Sequence, residues 1–214
     1  MVKENYLSIL KTFFIALIFL VIGSIIGVRF IPATFRYMLN IAFFVVVLFS
    51  AFSKRGGFIR NKASMYTCAF ILGILTGSTY VYYFARLGPE IFISCVIGVL
   101  LVFAFAYFFA ARSSEENIMR LSPIIWGGIL ALVILEFINI FFFRFGTFDL
   151  MLSTAGILIY SIYAIYIMKS IQSRCRYSRL SEGEVVALSY SIFISFLNLL
   201  LDLLRFMSII SDDN

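Results

Sequence analysis

The stretch VVALSYSIFISFLNLLLDLLRFMSII, residues 185–210, decides the fold class of this chain. It has no Gly or Pro, and as an α-helix its 26 residues would measure about 39 Å, more than the roughly 30 Å hydrocarbon core of a bilayer. At about 100° per residue, five of its polar side chains share one sector of about 80°: Ser191, Ser195, Asn198, Asp202 and Arg205. The stretch therefore predicts a membrane-spanning helix with one polar stripe.

Charged side chains make this stripe a candidate site, because a carboxylate or guanidinium in lipid is costly unless it faces a cavity or an opposite charge. A second apolar stretch, LVILEFINIFFF at residues 132–143, carries Glu136 and Asn139 on one helix face. A buried glutamate serves either as a protonated hydrogen-bond donor or as an ion ligand. We expect Asp202 and Glu136 to be candidate metal ligands and Arg205 to be a candidate charge partner. The polar residues predict an ion pathway that comprises Ser191, Ser195, Asn198, Asp202, Glu136 and Asn139.

The composition of the whole chain agrees with a membrane protein. Apolar residues make up 63% of the 214 residues, charged residues 13%, and the mean hydropathy is +1.05. Soluble domains have about 45–50% apolar and about 25% charged residues. We predict an all-α polytopic protein, a single membrane domain over residues 1–214, with seven transmembrane helices near residues 12–28, 35–52, 65–84, 91–111, 123–143, 150–168 and 185–210.

Three local signals refine these spans. The first apolar stretch is laid out like a signal peptide, but no small-x-small cleavage site follows it, so we expect a retained helix. Gly23 and Gly27 form a GxxxG pair that would let a neighbouring helix approach closely. Ser181 and Glu184 form an S-x-x-E capping box directly before the last span.

Several functions are disfavoured by the residues that the chain lacks. There is no histidine, which excludes Ser-His catalysis, HExxH zinc sites and histidine proton relays. Asp202 is the only aspartate deep in a span, whereas an aspartyl protease needs two. The three cysteines are scattered without CxxC spacing, and the basic residues lie in loops between spans. We expect no enzyme activity, no cofactor and no nucleic-acid partner.

The basic residues also predict the orientation. The N-terminus and the loops after spans two, four and six hold twelve Lys and Arg residues, and the other loops hold four. Cytoplasmic loops are the ones enriched in Lys and Arg. We therefore expect a cytoplasmic N-terminus and an outside C-terminus. The compact length of 214 residues favours a bacterial inner membrane, with a eukaryotic endomembrane as the alternative.

Seven apolar spans, a hydroxylated third span, S-x-Y-x-x-Y at residues 161–166 and FLNLLLDLLRF at residues 196–206 resemble the Bax inhibitor (TMBIM) family, especially its small bacterial members. The resemblance covers essentially the whole chain. It implies a seven-helix bundle with a central C-terminal helix and a pH-sensitive calcium leak. It also implies two aspartates that share a proton and gate the pore, with an arginine after the second span as their partner.

This chain departs from that pattern at the aspartates. Ile167 and Ser195 occupy the two positions, whereas Arg55 retains the arginine. Because two close carboxylates hold a shared proton by resisting joint ionisation, the resemblance implies altered or lost pH gating here.

Three interpretations of the remaining charges follow. In the first, Asp202 takes over cation binding with Glu136, and the protein is a calcium leak channel for ion transport. In the second, Asp202 pairs with Arg205 and Arg55, and the plugged protein regulates other membrane proteins, such as a membrane protease. In the third, the charges only lock helices together. We expect the first, with the lipid bilayer and calcium as partners.

Overall fold

The fold is seen in a computed structural model that describes residues 2–32, 35, 61–139, 146–177 and 179–212. These residues form helices and no β-strand, which confirms the all-α prediction: α1 Val2–Phe30, α2 Lys62–Arg112, α3 Glu115–Met119, α4 Ser122–Ile138, α5 Gly146–Tyr177 and α6 Glu182–Asp212. The predicted second span, residues 35–52, lies outside the described residues except for Phe35, and so does Arg55.

Long apolar helices confirm the polytopic membrane fold. Five helical stretches of the described chain are long and apolar enough to cross a membrane: Lys3–Phe30, Lys62–Arg112, Glu115–Glu136, Phe148–Arg176 and Glu182–Ser211. The most apolar window of the last stretch is 56% buried, against 17–33% in the other four. The apolar window of the C-terminal helix is thus the most buried of the five. The total of seven spans stays a prediction.

The longest helix, α2, is broken near its middle. Its 51 residues would measure about 77 Å if straight, more than twice the thickness of a hydrocarbon core. Gly88 has φ 79° and ψ 163°, a conformation that only glycine adopts readily, and Pro89 follows it. The predicted spans at residues 65–84 and 91–111 lie on the two sides of this break.

Contacts between Cα atoms divide the chain into two compact units. The first unit comprises Met1–Tyr82 and Ser178–Phe193, and the second comprises Tyr83–Tyr177 and Ile194–Asn214. Both α2 and α6 therefore contribute residues to each unit. The assignment of a single membrane domain stays a prediction.

The first unit is built on a close crossing of α1 and α2. At four glycines, two on each helix, an added Cβ atom would lie within about 3 Å of the backbone of the partner helix: Gly23, Gly27, Gly73 and Gly77. A Cβ on Gly77, for example, would lie 2.8 Å from Ser24 Cα. The close approach predicted for Gly23 and Gly27 is confirmed, and a second glycine pair on α2 is its counterpart.

The first unit also contains the start of α6. The backbone N–H of Ser181 donates to Glu184 Oε2 over 2.9 Å, and the N–H of Glu184 donates to Ser181 Oγ over 3.4 Å. The predicted capping box is confirmed. Ser189 Oγ lies 3.0 Å from the carbonyl oxygen of Ile9, so a buried hydroxyl ties α6 to α1.

In the second unit, α3 and α4 pack against α5. Side chains of α5 also donate hydrogen bonds to carbonyl oxygens near the C-terminal end of α2. Lys169 Nζ donates to the carbonyl oxygens of Ala110, at 3.0 Å, and Ser113. Gln172 Nε2 donates to the carbonyl oxygen of Tyr107 over 2.9 Å. The last carbonyls of a helix have no partner within it, so Lys169 completes the C-terminus of α2, whereas Gln172 adds a second hydrogen bond to a carbonyl one turn earlier.

Candidate functional site

Three charged residues of the second unit meet where α4 faces α6. Arg205 on α6 places Nη1 3.2 Å from Oε1 of Glu136 on α4, to which it donates a hydrogen bond. The same Nη1 lies 4.0 Å from Oδ1 of Asp202, one turn earlier on α6. The guanidinium therefore lies between two carboxylates that come from different helices.

The two carboxylates differ in their exposure. The Asp202 side chain is 7% exposed, whereas that of Glu136 is 43% exposed and that of Arg205 is 30% exposed. A carboxylate removed from water needs an opposite charge or a proton more than one that stays solvated. With all three groups ionised, the cluster carries one negative charge that Arg205 does not neutralise.

A small cavity of about 80 Å³ adjoins this cluster. Its lining combines the charged groups with a phenol, an amide and two leucines: Leu132, Glu136, Tyr160, Asn198, Leu201, Asp202 and Arg205. At roughly 30 Å³ per water molecule, the volume suits two or three waters. The cavity can therefore hold a small hydrated ion path or a water-bridged polar network.

Helix α5 approaches the cluster through Gly156. An ideal Cβ at Gly156 would lie 2.7 Å from Cγ of Asp202 and 3.1 Å from its Oδ1. The Asp202 carboxyl group thus lies directly against the α5 backbone, in space that any side chain at position 156 would fill.

The structure brings together four of the residues predicted from the sequence. Glu136, Asn198, Asp202 and Arg205 all line the cavity. Ser195 belongs to the same unit but is not in the lining. It is fully buried, and within the described parts of the chain its Oγ has no hydrogen-bond partner.

Two other predicted pathway residues are engaged elsewhere. The Ser191 hydroxyl, in the first unit, donates to the carbonyl oxygen of Ala187 over 2.9 Å. The Asn139 amide donates to Asp149 Oδ1 and so joins the end of α4 to the first turn of α5. Neither residue is in the cavity lining. Their part in an ion pathway stays a prediction.

The chemistry of the cluster suits a single positive charge better than a metal cage. Within residues 2–32, 61–139, 146–177 and 179–212, no group of three or more His, Cys, Asp or Glu side chains could hold a metal ion. Calcium requires six or more oxygen ligands. As arranged here, Glu136 and Asp202 face a guanidinium, and their role as metal ligands stays a prediction.

Sequence reasoning missed two residues of α5 at this site, Gly156 and Tyr160. Gly156 lies three residues after Ser153, and Tyr160 lies four residues after Gly156, so the three share one helix face. Ser153 is fully buried. The small residues Ser153 and Gly156 on one face are a weak signal of close helix packing in a membrane.

The resemblance places Ile167 and Ser195 at the family's two aspartate positions. Ile167 is 2% exposed and Ser195 is fully buried, and neither has a carboxyl group that could share a proton. Arg55 lies outside the described residues. Beyond this geometry, a family model described as Inhibitor of apoptosis-promoting Bax1 matches residues 2–212, which is nearly the whole chain.

Proposed function

The chain belongs to the Bax inhibitor family, and from this premise we propose that it is a cation leak channel with calcium as the permeant ion. The observation that carries the proposal is the cavity of about 80 Å³ lined by Glu136 and Asp202 from two helices. A polar cavity bounded by carboxylates within apolar helices is the usual setting of an ion pathway.

Electrostatics support a cation rather than an anion. Two carboxylates against the single guanidinium of Arg205 leave one uncompensated negative charge when all are ionised. Carboxylate oxygens, the Asn198 amide oxygen and the Tyr160 hydroxyl are the hard oxygen ligands that calcium prefers, and water supplies the remainder. In this proposal Arg205 acts as a tethered cation that closes the path, and it must move for calcium to pass.

The test is calcium uptake into proteoliposomes that contain a fluorescent calcium indicator. Asp202→Asn keeps the shape of the side chain and removes its charge, so we expect uptake to fall to the level of empty vesicles. Glu116→Gln is the matched control, because Glu116 forms an exposed pair with Arg120 outside the cavity. Uptake that is unchanged by Asp202→Asn would remove Asp202 from the pathway.

Gating in this proposal differs from that of the family. The residues at the two aspartate positions, Ile167 and Ser195, cannot ionise near neutral pH. In this proposal the response of the leak to pH comes from the Asp202 carboxylate at the cavity. The pH gating of the family is therefore altered or lost.

The pairing of Arg205 favours a second candidate function. Its guanidinium lies within pairing distance of both Glu136 and Asp202, which suits a closed, non-conducting protein that regulates other membrane proteins, such as a membrane protease. Affinity purification from native membranes would then recover a stoichiometric partner, and recovery of this chain alone would argue against it. Neither candidate involves an enzymatic step or a cofactor.

The orientation in the membrane belongs to the same proposal. The protein lies in a bacterial inner membrane. The excess of basic residues in alternate loops supports a cytoplasmic N-terminus and an outside C-terminus. Reporter fusions at the two ends measure this directly. Activity of a periplasmic reporter at the N-terminus would reverse the assignment.

A further inference from the structure

We infer that Gly156 is the positioning residue for the Asp202 carboxylate, and that its missing side chain controls the cavity on which the proposed leak rests. The inference concerns how the site is kept open, and it depends on the proposed function only for its consequence in flux. The contact itself is a property of the fold that can be tested without any transport.

The contact at Gly156 differs from that at the other glycines of the second unit. The three heavy atoms nearest to a Cβ built at Gly156 all belong to the Asp202 carboxyl group, with Cγ at 2.7 Å. A Cβ at Gly127 would meet nothing within 4 Å, and one at Gly128 would meet only the side chain of Ile159, at 3.2 Å. Gly156 is therefore in close contact with a charged group.

The atoms that an added side chain would have to displace at Gly156 also differ from those at the α1–α2 crossing. A Cβ at Gly73 would overlap the backbone of α1, which cannot move without separating the helices. At Gly156 the obstructing atoms are the end of one side chain, which can rotate about its own bonds. An alanine at position 156 therefore leaves the helices together and displaces the carboxylate.

Displacing the Asp202 carboxylate would change its distance to Arg205 and the free volume of the cavity. In its present position Asp202 Oδ1 is 4.0 Å from Arg205 Nη1, so that Glu136, at 3.2 Å, is the nearer partner of the guanidinium. The carboxyl group of Asp202 lines the cavity of about 80 Å³ and would enter it if displaced from α5. Gly156 thus keeps the carboxylate against α5 and out of the space through which an ion would pass.

The first test measures flux. Gly156→Ala should reduce calcium uptake into proteoliposomes at least threefold, because the displaced carboxylate fills the cavity. Gly127→Ala, on a helix surface with open space around it, should leave uptake unchanged. Equal uptake by the wild type and Gly156→Ala, in a protein that does leak, would overturn the inference.

The second test is a double-mutant cycle on thermal unfolding in detergent, which requires no leak. Gly156→Ala should lower the melting temperature by roughly 2–6 °C in the wild-type background, as overpacking does. In an Asp202→Ala background the space is free, and the same substitution should cause no loss. Asp202→Gly, which also removes the carboxyl group, serves as that background if Asp202→Ala does not fold.

Together the two tests distinguish the contact between Gly156 and Asp202 from the proposed calcium leak. The same loss of melting temperature in both backgrounds would mean that Gly156 packs against something other than Asp202, and the inference would be wrong. A background-dependent loss in a protein that shows no uptake would establish the contact and reject the leak.

Discussion

At the scale of single residues, the cluster is one guanidinium shared unequally by two acids. Glu136 is nearer to Arg205 but is 43% exposed, so water can stabilise its charge. Asp202 is farther away but 7% exposed, and its charge depends on the protein. Exposed ion pairs contribute about 0–1 kcal/mol, whereas removing one partner of a buried pair costs more. Arg205 should therefore matter more to Asp202 than to Glu136.

Arg205→Ala should lower the free energy of unfolding by about 2–4 kcal/mol, because the buried Asp202 carboxylate loses its opposite charge. Unfolding of the purified protein in detergent measures the change. Arg120→Ala is the control, since the Arg120–Glu116 pair is 73% and 74% exposed. That substitution should cost less than about 1 kcal/mol. Equal losses for the two variants would contradict the unequal burial.

The predictable part of this site consists of charges within apolar runs. Asp202, Arg205 and Glu136 are recognisable from the sequence, because charge in a span is expensive and needs a partner. Ser191 falls in the same angular sector, yet its hydroxyl bonds to its own helix, an option that serine always has and that helical geometry cannot exclude. Gly156 carries no chemical signal of its own, and only the approach of Asp202 gives it a role.

At the scale of helices, the glycines of α1 and α2 let two backbones touch. Lipid is as apolar as leucine, so association within a membrane depends on close packing rather than on the hydrophobic effect. A Cβ at Gly27 would lie 2.7 Å from Ile74 Cα, a distance that only separation of the helices can relieve. The first unit therefore depends on these glycines remaining glycine.

Gly73→Ala should lower the free energy of unfolding by about 1–3 kcal/mol through overpacking against the backbone of α1. Gly127→Ala changes the same residue type where a Cβ meets nothing within 4 Å. It should be neutral or stabilising by up to about 1 kcal/mol, since alanine favours the helix. Unfolding in detergent compares the two variants, and an equal effect would mean that the crossing does not stabilise the unit.

The helices extend well beyond the apolar spans that hydropathy indicates. Helix α1 runs Val2–Phe30 where residues 12–28 were expected, and α5 runs Gly146–Tyr177 where residues 150–168 were expected. Hydropathy reports the part of a helix that matches the lipid, about 20 residues. The polar turns beyond it have no such signal, although in α5 they include Lys169 and Gln172, which hydrogen-bond to carbonyl oxygens near the end of α2.

At the scale of the whole molecule, the surface is that of a protein surrounded by lipid. Large apolar side chains are widely exposed, including Phe105 at 71% and Ile124 at 70%. A soluble monomer rarely exposes extended apolar surface. Together with the match over residues 2–212, this supports an integral membrane protein of the Bax inhibitor family. Polar groups buried within such a protein are candidates for function, and those that line the cavity are the ones to test.

The cavity cluster also determines how the whole protein should respond to pH. A proton on the buried Asp202 carboxylate removes the negative charge that Arg205 leaves uncompensated, and so weakens the attraction for a cation. The titratable groups that face one another here come from four helices: Tyr83 on α2, Glu136 on α4, Tyr160 on α5, and Asp202 and Arg205 on α6. We expect the leak to decrease as pH falls.

The most direct measurement is calcium uptake by the wild-type protein in indicator-loaded proteoliposomes at pH 6, 7 and 8, compared with empty vesicles. The cation-leak account predicts uptake above that of empty vesicles at all three values, greater at pH 8 than at pH 6. Uptake no greater than that of empty vesicles at every pH would contradict the account and leave the regulator of other membrane proteins as the better description.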